Sequence, residues 1–185
     1  MHAVTVNGEA RTLAPGTTVT VRGTVTVPTG AFDGGFAIQD GDAGLYILDS
    51  GAAPRALGDR VELTGTIADS FGLLAIQPTA IATRGDGPRI PARPTRTGAV
   101  GEATEGRLLH LAGRLTGEPV DDGPFGTKLE IDDGSGPVQV FLYPGAGVSL
   151  AGLHAGVAIE TTCFSNQFDV FYECDPASAA GLTIR

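Results

Sequence analysis

Tryptophan is absent from this 185-residue chain, and eight phenylalanines and three tyrosines are its whole aromatic complement. No run of about 18 apolar residues occurs, so the sequence offers no membrane-spanning helix. No segment carries a sustained apolar stripe at helical spacing, which argues against a helical bundle. The opening residues, MHAVTVNGEA, lack the basic-then-apolar order of a signal peptide. A chain of this kind can be a trimmed form, so its location has to be read from other features. Its three histidines, His2, His110 and His154, fall far apart and show no metal-ligand spacing. Phosphate-cradling glycine loops and nucleophile elbows are missing too. Asp40-Gly41-Asp42-Ala43-Gly44 has a calcium-like look, but it lacks the third carboxylate and the distant bidentate glutamate of a calcium loop. A plain Asp/Gly turn accounts for it, and the same holds for Asp132-Asp133. With no paired acid and base, nucleophile or metal cluster, the expectation is a protein without catalytic activity, cofactor or bound metal.

What the chain does have is glycine, 28 residues, and proline, 12, set between Val/Ile/Thr/Leu runs. That is where an all-β protein places its turns. The organising stretch is FAIQDGDAGLYIL, residues 36–48, in which two short strands bracket an Asp/Gly turn and predict a tight hairpin. Residues 129–141, LEIDDGSGPVQVF, align with it without a gap at an offset of 93 residues. Two copies of one β-domain are therefore expected, each near the size at which a single core just suffices.

Around these hairpins the remaining strands follow in the same order. Residues 2–13 read as an N-terminal hairpin about Asn7-Gly8. TVTVRGTVTV, residues 18–27, alternates cleanly, with Gly23 marking a bend in a long first strand. Residues 60–67 and 73–76 form a last hairpin turned at 69–72. In the second half, 109–115, 128–143, 157–160 and 168–174 repeat the pattern, with Gly113 in the place of Gly23. Five strands in this order fit the Greek-key OB barrel. The predicted fold is all-β: two tandem five-stranded OB-like barrels, residues 1–83 and 98–185, joined by a Pro/Arg-rich linker at 84–97.

Charge is uneven. Residues 1–83 carry 4 basic and 8 acidic groups and residues 97–185 carry 4 and 12, whereas the linker holds Arg84, Arg89, Arg93 and Arg96 against Asp86 alone. The net charge of −9 opposes the phosphate neutralisation on which nucleic-acid affinity depends. Cys163 and Cys174 flank FSNQFDVFYE, read as a hairpin with Ser165-Asn166 in its turn region, and face each other within disulfide reach. The bond implies an extracytoplasmic home; the alternative is two reduced, buried cysteines.

Three segments, EGRLLHLAG at 105–113, AIQDG at 37–41 and LGDRVELTG at 57–65, resemble the OB-fold-like modules of large secreted bacterial nucleases and phosphoesterases. In that group such modules lie beside a separate catalytic domain, of which these 185 residues contain no trace. The resemblance rests on structural glycines and strand residues, and implies fold rather than activity.

An OB barrel binds ligands on its second and third strands and the adjoining loops. With Val21, Ile38, Leu45, Ile47, Val61 and Leu63 pointing inward, the outward set of the first barrel is Arg22, Ala37, Gln39, Tyr46, Arg60 and Glu62, with Phe32 and Phe71 on loops. For the second it is His110, Arg114, Lys128, Glu130, Gln139 and Phe141, with Phe125 and Phe168 on loops. A basic groove with stacking aromatics would suit single-stranded nucleic acid, with Arg89, Arg93 and Arg96 extending it. The same aromatics could instead pack against the linker or the partner barrel. Three functions follow: a non-catalytic extracytoplasmic accessory module with a protein or polymer partner, a single-strand binder, or a structural part of a cell-envelope assembly.

Overall fold

The computed structural model describes residues 4–32, 34–48 and 53–185. The chain divides into two compact units, Met1–Pro91 and Ala92–Arg185. The first contains helix α1 (Asn7–Ala10) and strands β1 (Thr18–Val27), β2 (Phe36–Asp40), β3 (Ala43–Ile47), β4 (Asp59–Ser70) and β5 (Leu73–Asp86). They close into a barrel in the order β1-β2-β3-β5-β4, with β3 and β5 parallel and the other neighbours antiparallel. β1 serves two neighbours in turn: residues 18–24 pair with β4 and 24–27 with β2, with a register shift between Val25 and Val27. The bend expected near Gly23 is thus the place where the strand passes from one sheet to the other. Gly23 is closely packed, since a Cβ there would lie 3.0 Å from that of Ile38 and its neighbours would have to give way. Val19, Val21, Val25, Phe36, Ile38, Leu45, Ile47, Val61, Leu63, Ile67 and Ile76 fill the interior.

The second unit begins with β6 (Arg93–Pro94), followed by β7 (Leu108–Leu115), β8 (Val120–Asp121), β9 (Thr127–Asp132), β10 (Val138–Leu142), β11 (Ala158–Phe168), β12 (Phe171–Asp175) and β13 (Leu182–Ile184). The pairings β7-β9-β10-β12-β11, closed by β11 against β7, repeat the ring of the first unit, again with one parallel pair, β10 with β12. β6, β8 and β13 add short edges outside that ring. Two five-stranded OB-like barrels, each with its own core, are the architecture.

Three local expectations change. Residues 2 and 3 of the proposed N-terminal hairpin lie outside the described residues, and Asn7-Gly8 starts a helical turn instead of a β-turn. The turn buries Ala10 in the barrel core, while Asn7 and Arg11 donate to the carbonyls of Ala43 and Gly44 in the β2–β3 hairpin, both at 3.3 Å. Tertiary burial outweighs the local turn signal here. The linker is largely absorbed: β5 runs on through Arg84 to Asp86, and β6 pairs in parallel with β7. Arg84 therefore belongs to the first barrel. Of the second barrel's last hairpin, Ser165 and Asn166 are buried strand residues, and the turn falls at Asp169-Val170. Asp169 there has φ 56°. The two cysteines are joined in a disulfide, with Cα atoms 5.3 Å apart.

Candidate functional site

The face that OB barrels use for ligands is filled in the first unit, whereas in the second Phe141 is buried but Glu130 is exposed and Lys128 and Gln139 are half-buried. Ala37, Gln39 and Tyr46, expected to point into solvent, are buried. The Tyr46 ring lies over the backbone at Gly35, where a Cβ would come within 2.5 Å of the tyrosine oxygen and of the Ile47 carbonyl. The second barrel repeats the arrangement: Phe141 is buried over Gly126, whose Cβ would lie 2.4 Å from the Leu142 carbonyl and 2.9 Å from the ring. Tyr143 meets Phe141 edge-on at 4.7 Å. A strand aromatic covering a bare glycine backbone is a packing device. It removes Tyr46 and Phe141 from the set of side chains able to stack on a ligand, because alternation along a strand assumes a solvated outer face that β2, β3 and the end of β10 lack.

The remaining candidates separate into three groups. Phe71 and Phe125 are well exposed on loop tips, as is Phe168, and Phe32 is half-buried. Phe71 has φ 54°, a left-handed backbone that is costly for a bulky residue. Lys128 pairs with Asp122 at 2.8 Å, and Arg114 donates to the Gly156 carbonyl at 3.0 Å. Of the linker arginines, Arg96 reaches Asp133 at 3.6 Å, Arg93 lies exposed in β6, and Arg89 is exposed beyond β5. Asp133 is held at about 2 chiefly by the Ser135 hydroxyl, helped by Thr97 and Arg96 against the cost of desolvation.

Arg22 and Arg60 do come together, with Glu62 of the same outward set and with Arg84, which the sequence reading had placed in the linker. The register of β1 against β4 sets Arg22 opposite Glu62 and Thr24 opposite Arg60. Arg22 donates from Nε and Nη2 to Glu62 Oε2, both at 2.5 Å, and Arg84 from Nη2 to Oε1 at 2.8 Å. The two guanidinium groups, Arg84 foremost, pull the Glu62 carboxyl below its ordinary range, so it stays ionised. Arg22, Arg60, Val61, Glu62 and Arg84 line a shallow depression of about 190 Å³ on the outside of β1, β4 and β5. In the second barrel a larger depression, about 460 Å³, is lined by Gly113, Arg114, Asp132, Asp133, Ile159 and Arg185 among others, with mixed charge.

His2 lies outside the described residues. His110 is 3.6 Å from Glu160 and His154 bonds the Ala155 carbonyl, so the histidines stay apart. No group of three metal-ligating side chains occurs among the described residues. One polar cluster had no sequence signal. Asn166 Nδ2 donates to Glu173 at 3.2 Å and Asp175 at 2.7 Å, and Gln139 donates to Glu173 at 2.5 Å, all near the outer side of β12. Burial pushes the Glu173 carboxyl up, against the pull of these donors and of Lys128.

No protein-family model and no curated protein matches the chain. Among solved structures it is similar to the hypothetical protein ygiW from E. coli, at 22% identity over 44% of this chain and 89% of that one, with a TM-score of 0.37. It is also similar to a tetrameric HIN2 domain, at 12% identity over 92% and 93% of the two chains with a TM-score of 0.39. The Ifi202 HINa domain, solved in complex with 20bp dsDNA, matches at 11% identity over 94% and 97% with a TM-score of 0.38. At these scores none of the three carries an argument about this chain.

Proposed function

We propose that the chain is a non-catalytic binding module working outside the cytoplasm, whose barrels are rigid frames for contacts made by loops and outer strands. The observation that carries this reading is the use of each barrel's own strand aromatic as a packing cover, Tyr46 over Gly35 and Phe141 over Gly126. A single-strand binder of the usual kind needs those positions open for bases. The Cys163–Cys174 disulfide supports the extracytoplasmic assignment, because such bonds persist in oxidising compartments. So does the resemblance to modules of secreted nucleases. Assays on nucleic-acid, phosphoester and peptide substrates, with and without divalent metal, are expected to show no turnover. Metal-dependent hydrolysis abolished by one carboxylate substitution would overturn the reading.

Single-strand binding is the second reading, favoured by the gathering of Arg22, Arg60 and Arg84 on one outer face. It expects fluorescence anisotropy with labelled single-stranded DNA to show binding that falls steeply with salt. Binding unchanged by Tyr46→Ala in a variant that stays folded would agree with the closed face.

A further inference from the structure

We propose that the outer face of β1, β4 and β5 is a binding site for one tetrahedral oxyanion, a phosphate or sulfate group, held by Arg22, Arg60 and Arg84. The inference rests on the reading of the chain as a binding module and names the chemistry of one ligand. Residues 1–91 hold six arginines and nine carboxylates. Three of those arginines line a single depression with only one carboxylate, Glu62, among its walls. Three positive charges against one leave a residual +2 in a chain of net −9. A phosphate monoester carries about −1.5 to −2 at neutral pH and matches that residue of charge.

Glu62 neutralises part of the cluster and also sets its geometry. Both its oxygens are occupied, one by Arg22 and one by Arg84, so the two planar guanidinium groups are fixed while their remaining N–H donors stay unused by Glu62. Guanidinium donors suit tetrahedral oxyanions because they present paired N–H groups in a rigid plane. Arg60 has no ion-pair partner among the described residues, so its charge adds to the depression without an ion pair of its own. The depression, about 190 Å³, equals the liquid volume of roughly six waters and suits a single such group.

The second barrel shows that the fold does not require this charge. Its β7–β11 register puts Ala112 opposite Glu160 and Ala158 opposite Arg114, the positions held in the first barrel by Arg22 and Arg60. Glu160 keeps an arginine, Arg185, which stands two residues after its β13 partner Thr183 as Arg84 stands two after Ala82, the β5 partner of Glu62. The carboxylate–arginine pair is therefore common to both barrels, and the two additional arginines are peculiar to the first.

The test is titration of the full chain with inorganic phosphate, followed through the arginine Nε–H resonances in NMR. Selective, saturable shifts of Arg22, Arg60 and Arg84 are expected, with Arg107 and Arg114 still. Arg60→Ala, an exposed substitution, should weaken the phosphate response at least tenfold without changing the melting temperature. A dT oligonucleotide with and without a 5′-phosphate then distinguishes the sources: preference for the phosphorylated end points to a monoester, equal binding to backbone diesters. Uniform, unsaturable shifts of all arginines, or an Arg60→Ala variant that binds phosphate like the parent, would overturn the site while leaving the binding-module reading intact. Hydrolysis of a bound phosphoester would do the reverse.

Discussion

The two barrels share a ring of five strands and differ in what secures each ring. In the first, β5 is one continuous strand that pairs with β4 along its whole length. In the second, its two halves are separate strands, β12 and β13, with residues 176–181 between them. A broken strand gives up the cooperativity of an unbroken ladder, and the disulfide lies in this divided barrel. Counting from the hairpin tips, Cys163 and Cys174 stand where the first barrel has Gly65 and Ile76. There a Cβ on Gly65 would fall 2.6 Å from Ile76 Cγ2 and 2.5 Å from the Gln77 carbonyl, so the strands already touch through backbone and one branched side chain. One location is thus closed by contact in one barrel and by a covalent bond in the other. The comparison teaches that the fold needs those strands held close there, and that the means of holding them is free to vary.

The strongest way to break the comparison is to remove the aromatic covers. Phe141→Ala and Tyr46→Ala should each destabilise their own barrel by about 3–5 kcal/mol, the usual range for truncating a buried aromatic. Urea denaturation that resolves the two units reads this out. A loss below about 1 kcal/mol at Tyr46 would mean that its ring is a surface group after all, and would reopen the ligand face. Next in size comes the disulfide. Cys163→Ala with Cys174→Ala should cost the second unit about 3 kcal/mol by chain entropy, less what the hairpin already restricts, and leave the first unit unchanged. Intact-mass measurement without reductant should find the parent chain two hydrogen atoms lighter than its reduced form.

The smallest effect sharpens the contrast in charge. Glu173 has its folded-state pKa raised by burial, so the favourable contribution of its protonated form is complete below the ordinary value near 4.5 and is lost as pH rises through the folded value. Glu173→Gln removes that loss once Gln139 turns its amide to face the new side chain. The stability gap between variant and parent should therefore widen in favour of the variant from about pH 4.5 towards neutrality. Thermal melts across that window check it, and a gap that is constant with pH would show that Glu173 stays ionised throughout.

Much of the architecture is legible because its signals are local. Asp40-Gly41 and Asp132 to Gly134 announce their hairpins, alternating valines announce β1, and the glycines at 23 and 113 announce the bend. What escapes is non-local. Tyr46 looks outward by alternation, and nothing local in the sequence shows that its ring lies over Gly35. Asn7-Gly8 carries a strong turn signal, yet burial of Ala10 against the barrel makes it helical. The arginine cluster was half visible: Arg22 and Arg60 lie on expected outer positions, but Arg84 sits among prolines that read as a spacer. Only the register of β4 with β5 shows that it faces Glu62.

The disulfide also has a mechanical consequence. It bridges residues 11 apart in sequence, on strands that are neighbours in an antiparallel hairpin. A chain pulled from its two ends would unzip such a hairpin one rung at a time. With the bond in place, the residues between Cys163 and Cys174 bear no load, and the force passes directly from one sulfur to the other. About 37 Å of contour that the reduced chain would release stays hidden, taking about 3.4 Å per extended residue. The second barrel is thereby shortened as a tether, and its extension under tension depends on the redox state of its surroundings.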